Sequence, residues 1–102
     1  MTTTFDLFDE FGAFASNGDQ ASVFRFSKIE PALARGESVV IDFAGVTNMT
    51  SSFANGLVAT LRVHFPQAFP THVRFRNCCP AVRVLVSAAI EIGRREATEL
   101  AQ

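Results

Sequence analysis

Three kinds of side chain in this sequence could carry chemistry: a run of hydroxyls, one carboxylate within an apolar run, and a pair of adjacent thiols. They are, in that order, Thr50, Ser51 and Ser52, then Asp42, then Cys78 and Cys79. A hydroxyl can accept a phosphoryl group, a carboxylate can accept hydrogen bonds or a phosphoryl group, and a thiol can act as a nucleophile or metal ligand. The elements that position these side chains decide between those roles.

The hydroxyl run precedes an amphipathic segment. Apolar residues recur every three or four positions from Phe53 to Phe65, which predicts a helix over about residues 51–65 that ends at Pro66. Hydroxyl side chains are favoured caps at a helix start, and the free backbone N–H groups there also suit a phosphate. Two interpretations therefore stay open: a phosphorylation site, with Ser52 as first candidate, or simple capping.

Asp42 interrupts the apolar, β-branched run Val39–Phe43, which predicts a central strand covered on both faces. A carboxylate in such a run is costly unless it is hydrogen-bonded or lies at the exposed strand end. We expect it to accept hydrogen bonds from the turn Gly45–Met49 or from the N–H groups of Thr50–Ser52. Its predicted role is structural support of that loop.

A phospho-accepting receiver domain offers another interpretation of Asp42. Such domains place an aspartate at the end of the third strand and an acidic pair, here Asp9 and Glu10, after the first. The only lysine in this chain is Lys28, however, and no later strand carries the lysine that would contact an acyl phosphate. This hypothesis is therefore disfavoured.

The two cysteines are adjacent, so they lack the spacing of a zinc site or of a C-x-x-C motif and cannot easily close a structural loop. Reduced thiols are expected, and neither a metal nor a cofactor is predicted. A thiol before a helix start can be reactive, but the spacing of the two histidines, His64 and His72, identifies no catalytic dyad. The alternatives are buried filler and a small thiol-dependent enzyme that uses Cys78 or Cys79.

Composition bounds the class of protein. The chain has 102 residues, 48% apolar, which predicts a single domain over residues 1–102. A formal net charge of −1 lacks the basic excess that nucleic-acid binding demands. No apolar run approaches the roughly 18 residues that cross a bilayer, and the N-terminal segment is acidic, unlike a signal peptide. We expect a cytoplasmic protein with neither nucleic acid nor membrane as a partner.

Strand and helix patterns alternate along the chain. Strands are predicted over residues 3–8, 39–43 and 72–76, and helices over residues 19–35, 51–65 and from Pro80 to the end, with Asp19 capping the first helix and Pro31 distorting it. Such alternation implies a mostly parallel sheet. The inward positions predict one core, formed by Val40, Ile41, Phe43, Phe53, Leu57, Val73, Phe75, Val82, Leu85 and Val86.

Two segments carry a family resemblance. From Val39 to Leu57, a buried strand with an Asp-Phe pair leads through a valine turn to a hydroxyl pair followed by Phe, and from Asn77 to Leu85 a strand end leads into a helix. These segments resemble the STAS family, found in bacterial anti-sigma-factor antagonists and sulfate-transporter tails, and more closely a divergent STAS-like family of unknown function. The resemblance implies an α/β fold: a single small STAS-like domain whose mixed, mostly parallel sheet has helices mainly on one face.

The same resemblance implies a non-catalytic regulatory or adaptor protein that binds other proteins. Ser52 matches the serine that a histidine-kinase-like ATPase partner phosphorylates in the antagonists, with Ser51 and Thr50 as neighbouring candidates. The positions that the resemblance implies for partner binding are Gly45, Val46, Thr47, Asn48, Phe53 and Asn55.

This sequence departs from the family pattern at the helix start. Thr50 stands for the family's Asp, and Phe53 and Asn55 stand for its two glycines, so the close backbone approach of a partner is partly blocked. A ligand-sensing homo-oligomer is the remaining alternative.

Overall fold

Strands and helices alternate along the computed structural model of the chain, which describes residues 1–100. The strands are β1 (Thr2–Asp6), β2 (Phe14–Ala15), β3 (Ser38–Asp42), β4 (Asn48–Met49) and β5 (Val73–Arg76). The helices are α1 (Leu7–Phe11), α2 (residues 18–34), α3 (residues 51–64), α4 (Phe69–His72) and α5 (Pro80–Leu100).

The strands form two parallel sheets. The main sheet has the order β1-β3-β5, with Phe5, Ile41 and Phe75 in one row of the register, and β2 pairs with β4 in a short second sheet. The predicted α/β fold with a mostly parallel sheet is confirmed. Every strand pairing within residues 1–100 is parallel, so these sheets contain none of the antiparallel pairs of a mixed sheet.

One face of the main sheet is covered and the other is open. Val39 and Ile41 are fully buried, whereas Val40 between them is only half-buried. The neighbours of Val40 in the register, Thr4 and Arg74, are exposed. The helices therefore lie mainly on one face, as expected, and the prediction that β3 is covered on both faces is wrong.

Most of the predicted core is buried under the helix layer, in which α3 packs between α2 and α5. Three predicted members, Val40, Phe75 and Leu85, are only half-buried. The positions that match the prediction are Ile41, Phe43, Phe53, Leu57, Val73, Val82 and Val86.

Two element boundaries differ from the prediction because of side-chain caps. β1 ends at Asp6, whose carboxylate accepts a hydrogen bond from Asp9 N at 3.2 Å and so starts α1 instead of a longer strand. The cap of α2 is Asn17, not Asp19: Asn17 Oδ1 accepts a hydrogen bond from Gln20 N at 3.1 Å.

Both long central helices contain a π-helical segment, Arg25–Ile29 in α2 and Asn55–Ala59 in α3. The segment in α2 ends shortly before Pro31, where a distortion was expected. Arg25 is buried and its Nε donates to the Gly56 carbonyl oxygen at 2.8 Å, which joins the two segments. Arg25 also pairs with Glu30, which lies 2.9 Å from His64 Nδ1. A polar cluster therefore links α2 to α3.

Among the helices within residues 1–100, none has both the length and the apolar character that crossing a bilayer requires.

Candidate functional site

Asp42 lies at the carboxyl end of β3 and organises the neighbouring turns. Its Oδ1 accepts hydrogen bonds from Ala44 N at 2.9 Å and Asn77 Nδ2 at 3.0 Å, and its Oδ2 accepts from Arg76 Nη2 at 3.0 Å. Asn77 adopts a left-handed conformation, with φ 61°. The carboxylate thus connects the β3 loop to the turn between β5 and α5.

The predicted donors to Asp42 were wrong. Neither the turn Gly45–Met49 nor the N–H groups of Thr50–Ser52 supplies a hydrogen bond to it, because Asp42 bonds at the near end of the loop, to Ala44, and across to β5. These donors hold the pKa of Asp42 below its usual value, with Asn77 the largest cause, followed by the Ala44 N–H and Arg76. These contacts tie the loop to the β5–α5 turn, and the supporting role of Asp42 stays a prediction.

The loop from Ala44 to Asn48 is held from several sides. Thr47 N donates to the Ala13 carbonyl oxygen at 2.8 Å, and Cys79 Sγ donates to the carbonyl oxygens of Val46 and Thr47 at 3.7 and 3.5 Å. Gly45 has φ 89°, and a β-carbon there would lie 2.7 Å from the ring of Phe8. These contacts fix the conformation of the loop, so its exposed residues form a defined surface.

Thr50 is the cap of α3. Its Oγ1 accepts from Phe53 N at 3.1 Å and donates to the Ser16 carbonyl oxygen at 2.9 Å. Because this hydroxyl is committed in both directions, the capping interpretation holds for Thr50, and modification there would break the helix start.

Ser51 and Ser52 follow in the first turn of α3, and both are exposed. Ser52 packs against Gly18, the first residue of α2: a β-carbon on Gly18 would overlap Ser52 Oγ and lie 3.0 Å from the Ser52 carbonyl oxygen. The Ser52 hydroxyl is therefore close to the N-terminal ends of two helices, α2 and α3. Both ends carry free N–H groups and partial positive charge, which favour an anion.

The expected partner-binding residues fall into two groups. Gly45, Thr47 and Asn48 are exposed, as a contact surface requires. Val46 is 2% exposed and Phe53 0%, so neither side chain is part of the exposed surface. They support the surface from beneath.

Asn55 is half-buried at the start of the π-helical segment of α3. Its carbonyl oxygen lies 3.4 Å from Thr60 Oγ1. It stands one turn along α3 from Ser51 and Ser52.

The thiols do not form an evident catalytic unit. Burial raises the pKa of Cys78, which disfavours the nucleophilic thiolate. The imidazole of His64 contacts Glu30, and that of His72 contacts Thr71 Oγ1 at 2.7 Å. Within residues 1–100 no cluster of three or more His, Cys, Asp or Glu side chains could hold a metal ion.

Sequence reasoning missed three contributors to this region. Neither Arg76 nor Gly18 was predicted to contribute here, and Asn77 was named only as the start of the second segment that carries the family resemblance. An Asn before an apolar helix start is a known left-handed signal, but nothing local indicates that Gly18 meets Ser52, 34 residues away.

Comparison with known proteins gives one result. Neither a curated protein nor a solved structure matches the chain significantly. The family described as "STAS-like domain of unknown function (DUF4325)" matches residues 20–83, more than half of the chain, from the first turn of α2 to the first turn of α5. The chain therefore belongs to this STAS-like family, as the resemblance of its β3–α3 and β5–α5 segments predicted.

Proposed function

We propose that this chain is a non-catalytic regulatory or adaptor module that binds a protein partner. Its contact area is formed by five exposed residues, here called the switch surface: Gly45, Thr47, Asn48, Ser51 and Ser52. Membership of a STAS-like family supports a regulatory role at a coarse level.

The observation that carries the proposal is the contrast between exposure and anchoring. The residues of the switch surface are exposed. The backbone beneath them is fixed by the Thr47–Ala13 hydrogen bond, the Thr50 cap and the buried Phe53. A preorganised exposed surface loses little conformational entropy when a partner docks.

Phosphorylation of Ser52 by a histidine-kinase-like ATPase partner is the finer part of the proposal. The hydroxyl is exposed and lies at the ends of α2 and α3, where a phosphate would be stabilised. About two added negative charges would change partner binding at this surface. Ser51 is the alternative site in the same turn.

The proposal includes the absence of enzymatic activity and a cytoplasmic location. The raised pKa of Cys78 and the engagement of both imidazoles elsewhere argue against the thiol-enzyme alternative. Two free cysteines accord with a reducing compartment.

Quantitative affinity capture from the source cells tests the proposal with four baits: wild type, Ser52→Ala, Ser52→Asp and the control Ser87→Asp, whose serine is exposed on α5. Wild type, Ser52→Ala and Ser87→Asp should retain the same specific protein, and Ser52→Asp should lose it, because a lone hydroxyl contributes little while a charge at the contact is costly. Mass spectrometry of the protein isolated from those cells should find phosphate on Ser52.

Equal capture by all four baits would remove the switch from Ser52. Phosphate on Ser51 alone would move the switch by one residue. Retention of only a second copy of the chain would favour the homo-oligomer alternative instead.

A further inference from the structure

A groove of about 470 Å³ lies between α1 and the first half of α2. Its apolar floor is formed by Phe11 and Phe24, whose rings meet edge to face at 5.3 Å, and Val23 forms one wall. A different side of α2 meets α3, at the contact between Gly18 of α2 and Gly56 of α3. The lining of the groove contains none of the residues of the switch surface.

Two large apolar side chains of α2, the helix that lines the groove, are exposed instead of packed against another element. Val23 is 67% exposed and Phe26 is 69% exposed, and both lie on α2, which forms one edge of the helix layer. A concave aromatic floor beside an exposed aliphatic wall is the arrangement of a protein-docking groove.

Charges at the ends of the groove indicate what fits it. The charged residues of the lining are Glu10, Asp19 and Lys28, and Asp19 and Lys28 stand at opposite ends of the stretch of α2 that lines the groove. Asp19 and Lys28 are nine residues apart on α2, which is about 13 Å along a helix. A ligand that matches this pattern is elongated, apolar along one side, basic at one end and acidic at the other.

We propose that this groove binds an amphipathic α-helix of a protein partner. Two apolar side chains one helical turn apart would pack on Phe11 and Phe24, and a basic side chain would lie against Glu10 and Asp19, as in other helix-in-groove complexes. This docking site goes beyond the proposed function, because it uses neither the loop after β3 nor Ser52.

The probes are two synthetic helical peptides of about 16 residues with the same leucine face. One has lysines at its N-terminal end and glutamates at its C-terminal end, and the other has glutamates at both ends. Backbone amide shifts of the full isotope-labelled chain are recorded with each peptide. We expect the first peptide to shift residues 19–28 and to bind about tenfold more tightly than the second at low salt, with a smaller difference at high salt.

Matched variants assign the binding to the groove. Val23→Ser, and separately the double variant Glu10→Gln with Asp19→Asn, should each weaken binding of the first peptide by about tenfold. The controls Val84→Ser and Glu96→Gln, at exposed positions of α5, should leave it unchanged.

Several results would overturn the inference. They are equal binding of the two peptides, equal losses for Val23→Ser and Val84→Ser, amide shifts centred on residues 45–52, and concentration-dependent shifts of residues 19–28 without peptide. The last result would mean that a second copy of the chain covers the groove.

Discussion

Single side chains fix the geometry of the turns at the carboxyl edge of the main sheet. The carboxylate of Asp42 accepts hydrogen bonds both from its own loop and from the β5–α5 turn. The sequence showed that a carboxylate in this strand needs partners, but Arg76 and Asn77 are 34 and 35 residues away. Partners at that separation are set by the strand register, which a single sequence does not reveal.

The hydrogen bonds of Asp42 make stability depend on pH in a defined direction. The pKa of Asp42 is lowered in the folded chain, so its carboxylate stabilises the fold above its ordinary pKa of about 4, and this stabilisation is lost as the pH falls through the lowered value. Urea unfolding from pH 7 to pH 2 should therefore show a smaller acid-induced loss of stability for Asp42→Asn than for wild type. Identical losses would assign the acid sensitivity to other groups.

The same variant tests the two roles considered for Asp42. We expect Asp42→Asn to keep the fold, because an amide oxygen in the place of Oδ1 can still accept the bonds from Ala44 N and Asn77 Nδ2. The amide NH2 group that replaces Oδ2 would meet the Arg76 donor unfavourably. Incubation of the wild-type chain with a small-molecule phosphodonor should leave Asp42 unmodified by mass spectrometry. An acyl phosphate on Asp42 would revive the receiver hypothesis.

Glycine conformation at the loop gives a second residue-level prediction. Gly45 and Gly36 have similar positive φ values, 89° and 84°, but only at Gly45 would a β-carbon meet a neighbour, the Phe8 ring. Gly36→Ala should cost about 1–2 kcal/mol for backbone strain, and Gly45→Ala should cost more. Chemical denaturation measures both, and Phe8→Ala in the Gly45→Ala background should recover the difference between them.

At the level of elements, hydrophobic spacing predicted the three long helices α2, α3 and α5 well and their internal geometry poorly, and the short helices α1 and α4 were not predicted. The period from Phe53 to Phe65 located α3 because burial on one face is the dominant local signal. The π-helical segments were not predicted, since they depend on contacts between helices, such as the bond from Arg25 to the Gly56 carbonyl. The cap of α2 was displaced by two residues, because the Asn17 side chain and not that of Asp19 accepts the bond from Gln20 N.

Two leucines on neighbouring helices should differ in their contribution to stability. Leu57 in α3 is 0% exposed, whereas Leu85 in α5 is half-buried. Leu57→Ala should lower the free energy of unfolding by about 2–5 kcal/mol, and Leu85→Ala by about half as much. Urea denaturation of both variants checks the order, and a larger loss for Leu85→Ala would contradict the assignment of the helix faces.

For the whole molecule, a chain of aromatic contacts connects elements that are distant in sequence. Phe5 of β1 meets Phe24 of α2 at 5.8 Å, Phe24 meets Phe11 of α1, and Phe11 meets Phe53 of α3 at 4.9 Å. The two contacts of Phe11 depend on α1, which the strand predicted over residues 3–8 concealed.

Phe53 should therefore matter to the whole fold. Phe53→Ala should cost about 3–5 kcal/mol, because it leaves a cavity at a fully buried position. In a double-mutant cycle with Phe11→Ala, the two losses should be non-additive by about 0.5–1.5 kcal/mol. The control is the pair Phe53→Ala with Phe69→Ala. Because the Phe69 ring contacts Phe75 and not Phe53, these two losses should be closer to additive.

The joined π-helical segments of α2 and α3 have a consequence for how related sequences change in length. A π turn closes its hydrogen bond over one more residue than an α turn, so each helix contains an inserted residue at the level where Arg25 meets Gly56. Deleting one of these residues would rotate the rest of that helix out of register with its neighbour. Family members should therefore lose or keep the two insertions together, and they should keep an arginine at position 25 only where both are present.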